Sequence, residues 1–163
     1  MKEKRRFYLL ILAQAFAIVV VIGLIFADSI TLSSWLEEPT VYTQQKLDCD
    51  LHFGPCEVLF EDGISLTLSI YPQAIPLMEP LSFVVKTEGF SPRVLKGKVY
   101  ATNMNMGIHP ITLRSTKNSN TLEGKIVLPT CLVGNMRWRV ELIMPKCSDE
   151  PRQAAVFLFQ TTR

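Results

Sequence analysis

Histidine is almost missing from this sequence: only His52 and His109 occur among 163 residues. There is no G-x-S-x-G elbow, no H-E-x-x-H pair, no C-x-x-C thiol pair and no glycine-rich phosphate loop. The usual hydrolytic, metalloprotease, dithiol and nucleotide chemistries therefore lack their residues. A Cys131 and His109 pair has no evident orienting acid, so the chain reads as a non-enzyme. Charge of one sign is scarce too, with 17 Lys and Arg against 15 Asp and Glu. Lys2, Lys4, Arg5 and Arg6 balance Glu3, Asp28, Glu37 and Glu38 within residues 1–38. The rest is only mildly basic, without the concentrated positive patch that phosphate backbones require, and nucleic acid is set aside as a partner.

One long apolar run is present. Residues 7–26, FYLLILAQAFAIVVVIGLIF, carry no charge and as a helix would extend about 30 Å, the thickness of a bilayer core. The basic flank at 1–6 predicts a cytoplasmic N-terminus by the positive-inside rule. A cleaved signal peptide is the competing reading. The run exceeds the roughly 7 to 15 residues of an ordinary h-region, and Ile25 stands where a small residue is wanted before Ala27, which favours an uncleaved anchor. The expected organisation is a cytoplasmic flank at 1–6, a transmembrane anchor at 7–27, a tether at 28–39 containing Trp35, and a folded domain at 40–163.

Beyond residue 40 the apolar period is two, the mark of half-buried strands. Ile64, Leu66, Leu68 and Ile70 alternate with Ser65, Thr67 and Ser69, while Met136, Trp138, Val140, Leu142 and Met144 alternate with Arg137, Arg139, Glu141 and Ile143. AAVFLF, at 154–159, reads as a strand covered on both faces. Turn residues punctuate these runs at Asp62-Gly63, Pro72 to Pro80, Gly89, Asn118 to Asn120, Gly134-Asn135 and Pro151. Seven or eight short strands with no soluble helical stretch predict an antiparallel β-sandwich of immunoglobulin-like type.

All four cysteines, Cys49, Cys56, Cys131 and Cys147, lie past the apolar run, consistent with disulfides in an exported domain. A Cys49–Cys56 bridge across CDLHFGPC is the simplest pairing. Strand parity places Met104, Met106, His109 and Cys131 at one rim with the Cys49–Cys56 loop, and Cys147 at the other. A strand of about 30 Å would then separate Cys131 from Cys147, against roughly 6 Å between the Cα atoms of a disulfide.

The rim loop NMNMGIHP, at 103–110, joins two methionines to a histidine. Thioethers are soft ligands suited to Cu(I), and imidazole suits copper in either state. Met104 and Met106, at i and i+2, point to one side of an extended chain, and Gly107 lets the backbone turn His109 toward them. The same residues also suit a structural cap, since methionine is an adaptable core filler. Cys131 and Met136 could complete a ligand set, or be half a disulfide and the start of a core strand. Cys49, Cys56 and His52 could form another set, or a small disulfide loop with an exposed histidine.

The segments VYATNMNMGIHPITL and NTLEGKIVLPTCLVGNMRWRVELIM resemble the YtkA-like and FixH-like domains. In these, a methionine loop often ending in histidine precedes an L-x-G-x-I-x-L-P strand and a G-x-M-x-W-x-V strand. With DCDLHFGPC, the likeness is greatest to membrane-anchored Gram-negative proteins bearing an MNMG loop, and it covers about two thirds of the domain. Asn105 and Ile108 depart from the usual Met-Pro-x-Met-x-His form. The resemblance implies a single inner-membrane anchor, a periplasmic β-sandwich, Met104, Met106 and His109 as the copper loop, and Trp138 as the core tryptophan. It also implies a part in copper supply or cytochrome oxidase assembly, with a respiratory oxidase or its assembly factors as partner. The alternative is a metal-free interaction module that binds a membrane complex.

Overall fold

The computed structural model describes residues 2–26, 40–116, 120–130, 134–145 and 151–162. The tether and the cysteines Cys131 and Cys147 lie outside them. The chain divides into two compact units, Met1–Glu38 and Pro39–Arg163. The described residues of the first form a helix, α1 (Lys2–Phe26). Its apolar side chains, among them Leu10, Leu12 and Phe16, are exposed. Among the described residues no helix is both long and apolar enough to cross a membrane. The unbroken stretch of α1 with described side chains, 4–21, opens on the cations Lys4, Arg5 and Arg6.

Among the described residues the second unit is all β. Its strands are β1 (Thr40–Gln44), β2 (Cys56–Leu59), β3 (Ser65–Tyr71), β4 (Pro80–Glu88), β5 (Val94–Ala101), β6 (Ile108–Ser115), β7 (Thr121–Val127), β8 (Asn135–Ile143) and β9 (Arg152–Thr162). They follow the order β1-β9-β8-β5-β6-β7-β4-β3-β2 in one hydrogen-bonded sheet. Two details of the expectation are corrected here: the described residues form nine strands rather than seven or eight, and β1 pairs with β9 in parallel, Thr40 opposite Arg152 through Gln44 opposite Val156, so the domain is not wholly antiparallel. The short polar segment TVYTQ carries no clean alternation, so no period of two marks it as a strand.

Continuity across the middle of the sheet is slight. β6 meets β7 through Arg114–Glu123 and Ser115–Leu122 alone, and there the sheet folds over. Residues of both halves enclose one core that includes Leu66, Leu68 and Phe83 from one side and Val99, Leu113, Trp138 and Phe157 from the other. β2 also lies against β9 and β1, bringing the two ends of the sheet together in a barrel-like closure.

Alternation positions these side chains as the period of two predicts. Leu66, Leu68 and Ile70 of β3 are buried, as are Met136, Trp138, Val140 and Leu142 of β8. Each contributes on the order of 1.5–3 kcal/mol of apolar transfer. Ala154 to Phe157 of β9 are buried without alternation, as expected for a strand flanked on both sides by others and covered on both faces. The Trp138 indole N–H, which could not be buried cheaply without an acceptor, donates to Thr161 Oγ1 at 2.9 Å.

Candidate functional site

The β5–β6 connection is held against β8 by Asn103. Its amide donates to the Asn135 carbonyl at 2.8 Å and its Oδ1 accepts from Arg137 N at 3.0 Å, extending the β5–β8 ladder past its last strand pair. Asn105 then turns the chain by accepting from Gly107 N at 3.3 Å, with Gly107 at φ +80°, a region that suits a residue without Cβ.

The result is that Met104 and Met106, alternating with exposed Asn103, Asn105 and Gly107, are half-buried and packed on the core. His109 is the first inward position of β6. It pairs with Val99, sits half-buried, and its ring lies 6.5 Å from that of Trp138 at a 58° tilt. The Nε2 atom of His109 is buried and, among the described residues, has no hydrogen-bond partner. Leaving such a group unpaired costs about 1–3 kcal/mol. Met104 and Met106 of the loop and His109 at the start of β6 are therefore all turned partly toward the core. Met136, on adjacent β8, is 1% exposed and belongs to the core. The fourth candidate, Cys131, falls outside the described residues.

Cys49 and Cys56 form the predicted disulfide, with Cα atoms 5.7 Å apart. Both sulfurs are thereby spent, which removes the cysteine-histidine metal set. Among the described residues, no group of three His, Cys, Asp or Glu side chains is placed to hold a metal; thioethers are a softer class of donor.

His52 is half-buried rather than exposed. Its Nδ1 lies 3.0 Å from the Gln73 carbonyl and its Nε2 2.5 Å from that of Gln160, fastening the disulfide loop to the β3–β4 turn and to β9. Gln45 makes a second clamp: its amide donates to Cys49 O at 3.0 Å and Leu158 O at 3.1 Å, while its Oε1 accepts from Leu158 N at 3.2 Å. Sequence reasoning missed both, because a glutamine and a histidine saturated by backbone groups leave no pattern in the chain.

These clamps form one wall of a cleft of about 670 Å³ over the ends of β1, β9 and β8. Its lining includes Lys46, Arg137, Arg139 and Gln160 but not Met104, Met106 or His109. Trp138 is the link between the two places, lining the cleft and packing beside His109.

Comparison with known proteins brings no match: no family model fits the chain, and no curated protein or solved structure is similar to it.

Proposed function

We propose that this is a membrane-anchored periplasmic accessory protein that holds Cu(I) at Met104, Met106 and His109 and assists assembly of a respiratory oxidase. The observation that carries the reading is the buried, unpartnered Nε2 of His109 on the same loop as two half-buried thioethers. Buried imidazoles normally spend both nitrogens, whereas a soft monovalent cation would take this one together with the sulfurs. Bound there, copper would be shielded from water and from thiol exchange. The charge-free run at 7–26, helical within α1, supports the anchor, which would raise the local concentration of the domain near a membrane client. Adjacency of β4 with β7 and of β5 with β8, together with the parallel first and last strands, supports an immunoglobulin-like Greek key for the fold.

A metal-free interaction module is favoured by a different observation. Leu47 is 96% exposed, Phe53 88% and Ile108 64%, and exposed apolar side chains of this size mark contact surfaces when they are contiguous.

The two readings separate in a Cu(I) competition titration of the full chain in detergent against a chromogenic chelator. Copper holding predicts one equivalent bound by the parent and weakened at least tenfold in Met104→Leu, Met106→Leu and His109→Ala. Binding no greater than the chelator's background, or binding indifferent to all three changes, rejects it and leaves the interaction module.

A further inference from the structure

The cleft beside the disulfide loop has the volume, charge and rigidity of a ligand site, and it shares no lining residue with the copper loop. At about 670 Å³ it lies within the roughly 300–1,000 Å³ typical of small-molecule sites. Its lining carries three cations, Lys46, Arg137 and Arg139, against the single carboxylate of Asp50. That carboxylate is partly committed, since Asp50 Oδ1 accepts from His52 N at 2.9 Å. Arg139 is committed as well, through Nε to Glu141 at 2.7 Å. Arg137 is different. Its backbone is held by Asn103, but among the described residues its exposed guanidinium has no ion-pair or hydrogen-bond partner.

Register fixes what stands beside it. Arg137 is directly opposite Gln160 and Arg139 opposite Leu158, and cross-strand partners project to the same side. The floor of the cleft thus presents a free guanidinium, a neutral amide and an apolar side chain within neighbouring strand positions. Its wall is pinned at both ends, by Gln45 to Leu158 and by His52 to the carbonyls of Gln73 and Gln160, so little ordering remains for a ligand to supply.

We infer that this cleft binds a small organic acid, with its carboxylate on Arg137 and its apolar body along Leu158. The planar fork of arginine matches a carboxylate with two parallel hydrogen bonds. The ligand is organic because a bare inorganic anion would meet Arg137 and leave the apolar floor and most of the volume unused. Lys46, at the far side of β9 from Arg137, supplies the long-range attraction that draws an anion in.

The test uses the full ¹⁵N-labelled chain in detergent at fixed ionic strength and follows amide shifts on titration with phenylacetate, with uncharged 2-phenylethanol and with inorganic phosphate. The expected result is a saturable response to phenylacetate centred on Lys46, Arg137 and Gln160, with 2-phenylethanol at least tenfold weaker. Arg137→Gln should weaken phenylacetate at least tenfold and Arg137→Lys less so, while Lys125→Gln, at an exposed position on β7, should leave it unchanged. Arg137 is exposed, so a spectrum otherwise unaltered in its variants certifies their fold. No saturable response, an equal response in Arg137→Gln, or phosphate binding as tightly as phenylacetate overturns the assignment. No copper is present in any arm, so the result stands apart from the metal reading.

Discussion

Tyr100 donates its phenolic hydrogen to Glu141 Oε1 at 2.6 Å, across the β5–β8 pair and on the outward face of the sheet. Lys98 Nζ reaches the other oxygen at 3.0 Å, so a carboxylate only 3% exposed is covered by its own partners. Burial pushes the Glu141 carboxyl up, but hydrogen bonds from Tyr100 and Lys98 and the charges of Lys98 and Arg139 outweigh it, leaving it below its ordinary value. Burial, then the bond to Glu141 and its charge, push Tyr100 up to about 12.

The signs of these shifts give opposite pH limbs. For Glu141 the stabilisation is present above its unfolded value, roughly 4.3, and is lost as pH falls through the lower folded one. For Tyr100 it is present below roughly 10 and lost as pH rises through about 12. Urea denaturation followed by tryptophan fluorescence should show Tyr100→Phe less stable by about 1 kcal/mol at neutral pH. That deficit should shrink above pH 10. A deficit that stays constant to pH 12 would mean that the phenol is not the donor that matters. Glu141→Gln should cost about 2 kcal/mol, because it leaves Lys98 and Arg139 without their carboxylate.

Reduction of the Cys49–Cys56 bridge should lower stability by about 2–3 kcal/mol, the chain-entropy value for so short a loop. It should also loosen the wall of the cleft. Cys49→Ala with Cys56→Ala should reproduce both effects, read as a lower denaturation midpoint and faster amide exchange at His52 and Gln45. Unchanged exchange there would show that the two clamps hold the loop without the bridge.

Gly97 lies in β5 where a Cβ would come within 2.5 Å of the Glu141 carbonyl and 2.8 Å of Leu142 Cδ2. The backbone of β8 cannot yield without breaking the ladder from Lys96 to Ala101. Gly97→Ala should therefore destabilise by about 1–3 kcal/mol, measurable as a lower melting temperature. A neutral outcome would mean that β5 and β8 lie farther apart than their register implies.

Met78 is 62% exposed and takes φ +62°, a left-handed conformation that costs an L-residue roughly 1–2 kcal/mol. Its amide donates to Leu128 O at 2.9 Å, and glycine would keep that bond. Met78→Gly should stabilise the domain by up to about 1 kcal/mol in thermal melts, and destabilisation would show that the thioether packs usefully. Ile75, also at positive φ (46°), is 2% exposed, so its strain is set against a buried side chain and the same exchange should be harmful.

The strands that alternate cleanly were legible in the sequence. β3 and β8 bury the residues whose spacing predicts it, β9 is covered on both faces, and the short Cys49–Cys56 loop closes as the nearest pairing. Parity predicts one rim for Met104, Met106 and His109; alternation alone would turn His109 away from the methionines, and the turn at Gly107 (φ +80°) resets the phase so that all three are half-buried. What was not legible depends on partners distant in the chain. Glu141 sits in the polar half of the β8 pattern, yet it is buried, since Lys98, Tyr100 and Arg139 converge on it from three positions. β1 lacks alternation and exists by pairing with β9. His52 and Gln45 act through backbone carbonyls, which no side-chain motif reveals. Nor does any spacing tell that Arg139 would be paired with Glu141 while, among the described residues, the Arg137 guanidinium has no partner.

The parallel contact of β1 with β9 has a consequence for how the domain comes into being. Gln45 and Leu158 are 113 positions apart, and among the described residues β1 is hydrogen-bonded to no strand but β9. Strands β2 to β8 can assemble as local hairpins and their crossovers, but until β9 arrives β8 presents an open edge and β1 has nowhere to dock. Closing so wide a loop is entropically slow, and an uncovered edge in the meantime invites pairing with other chains. The interval between emergence of β8 and docking of β9 is thus when the chain is most open to pairing with its neighbours.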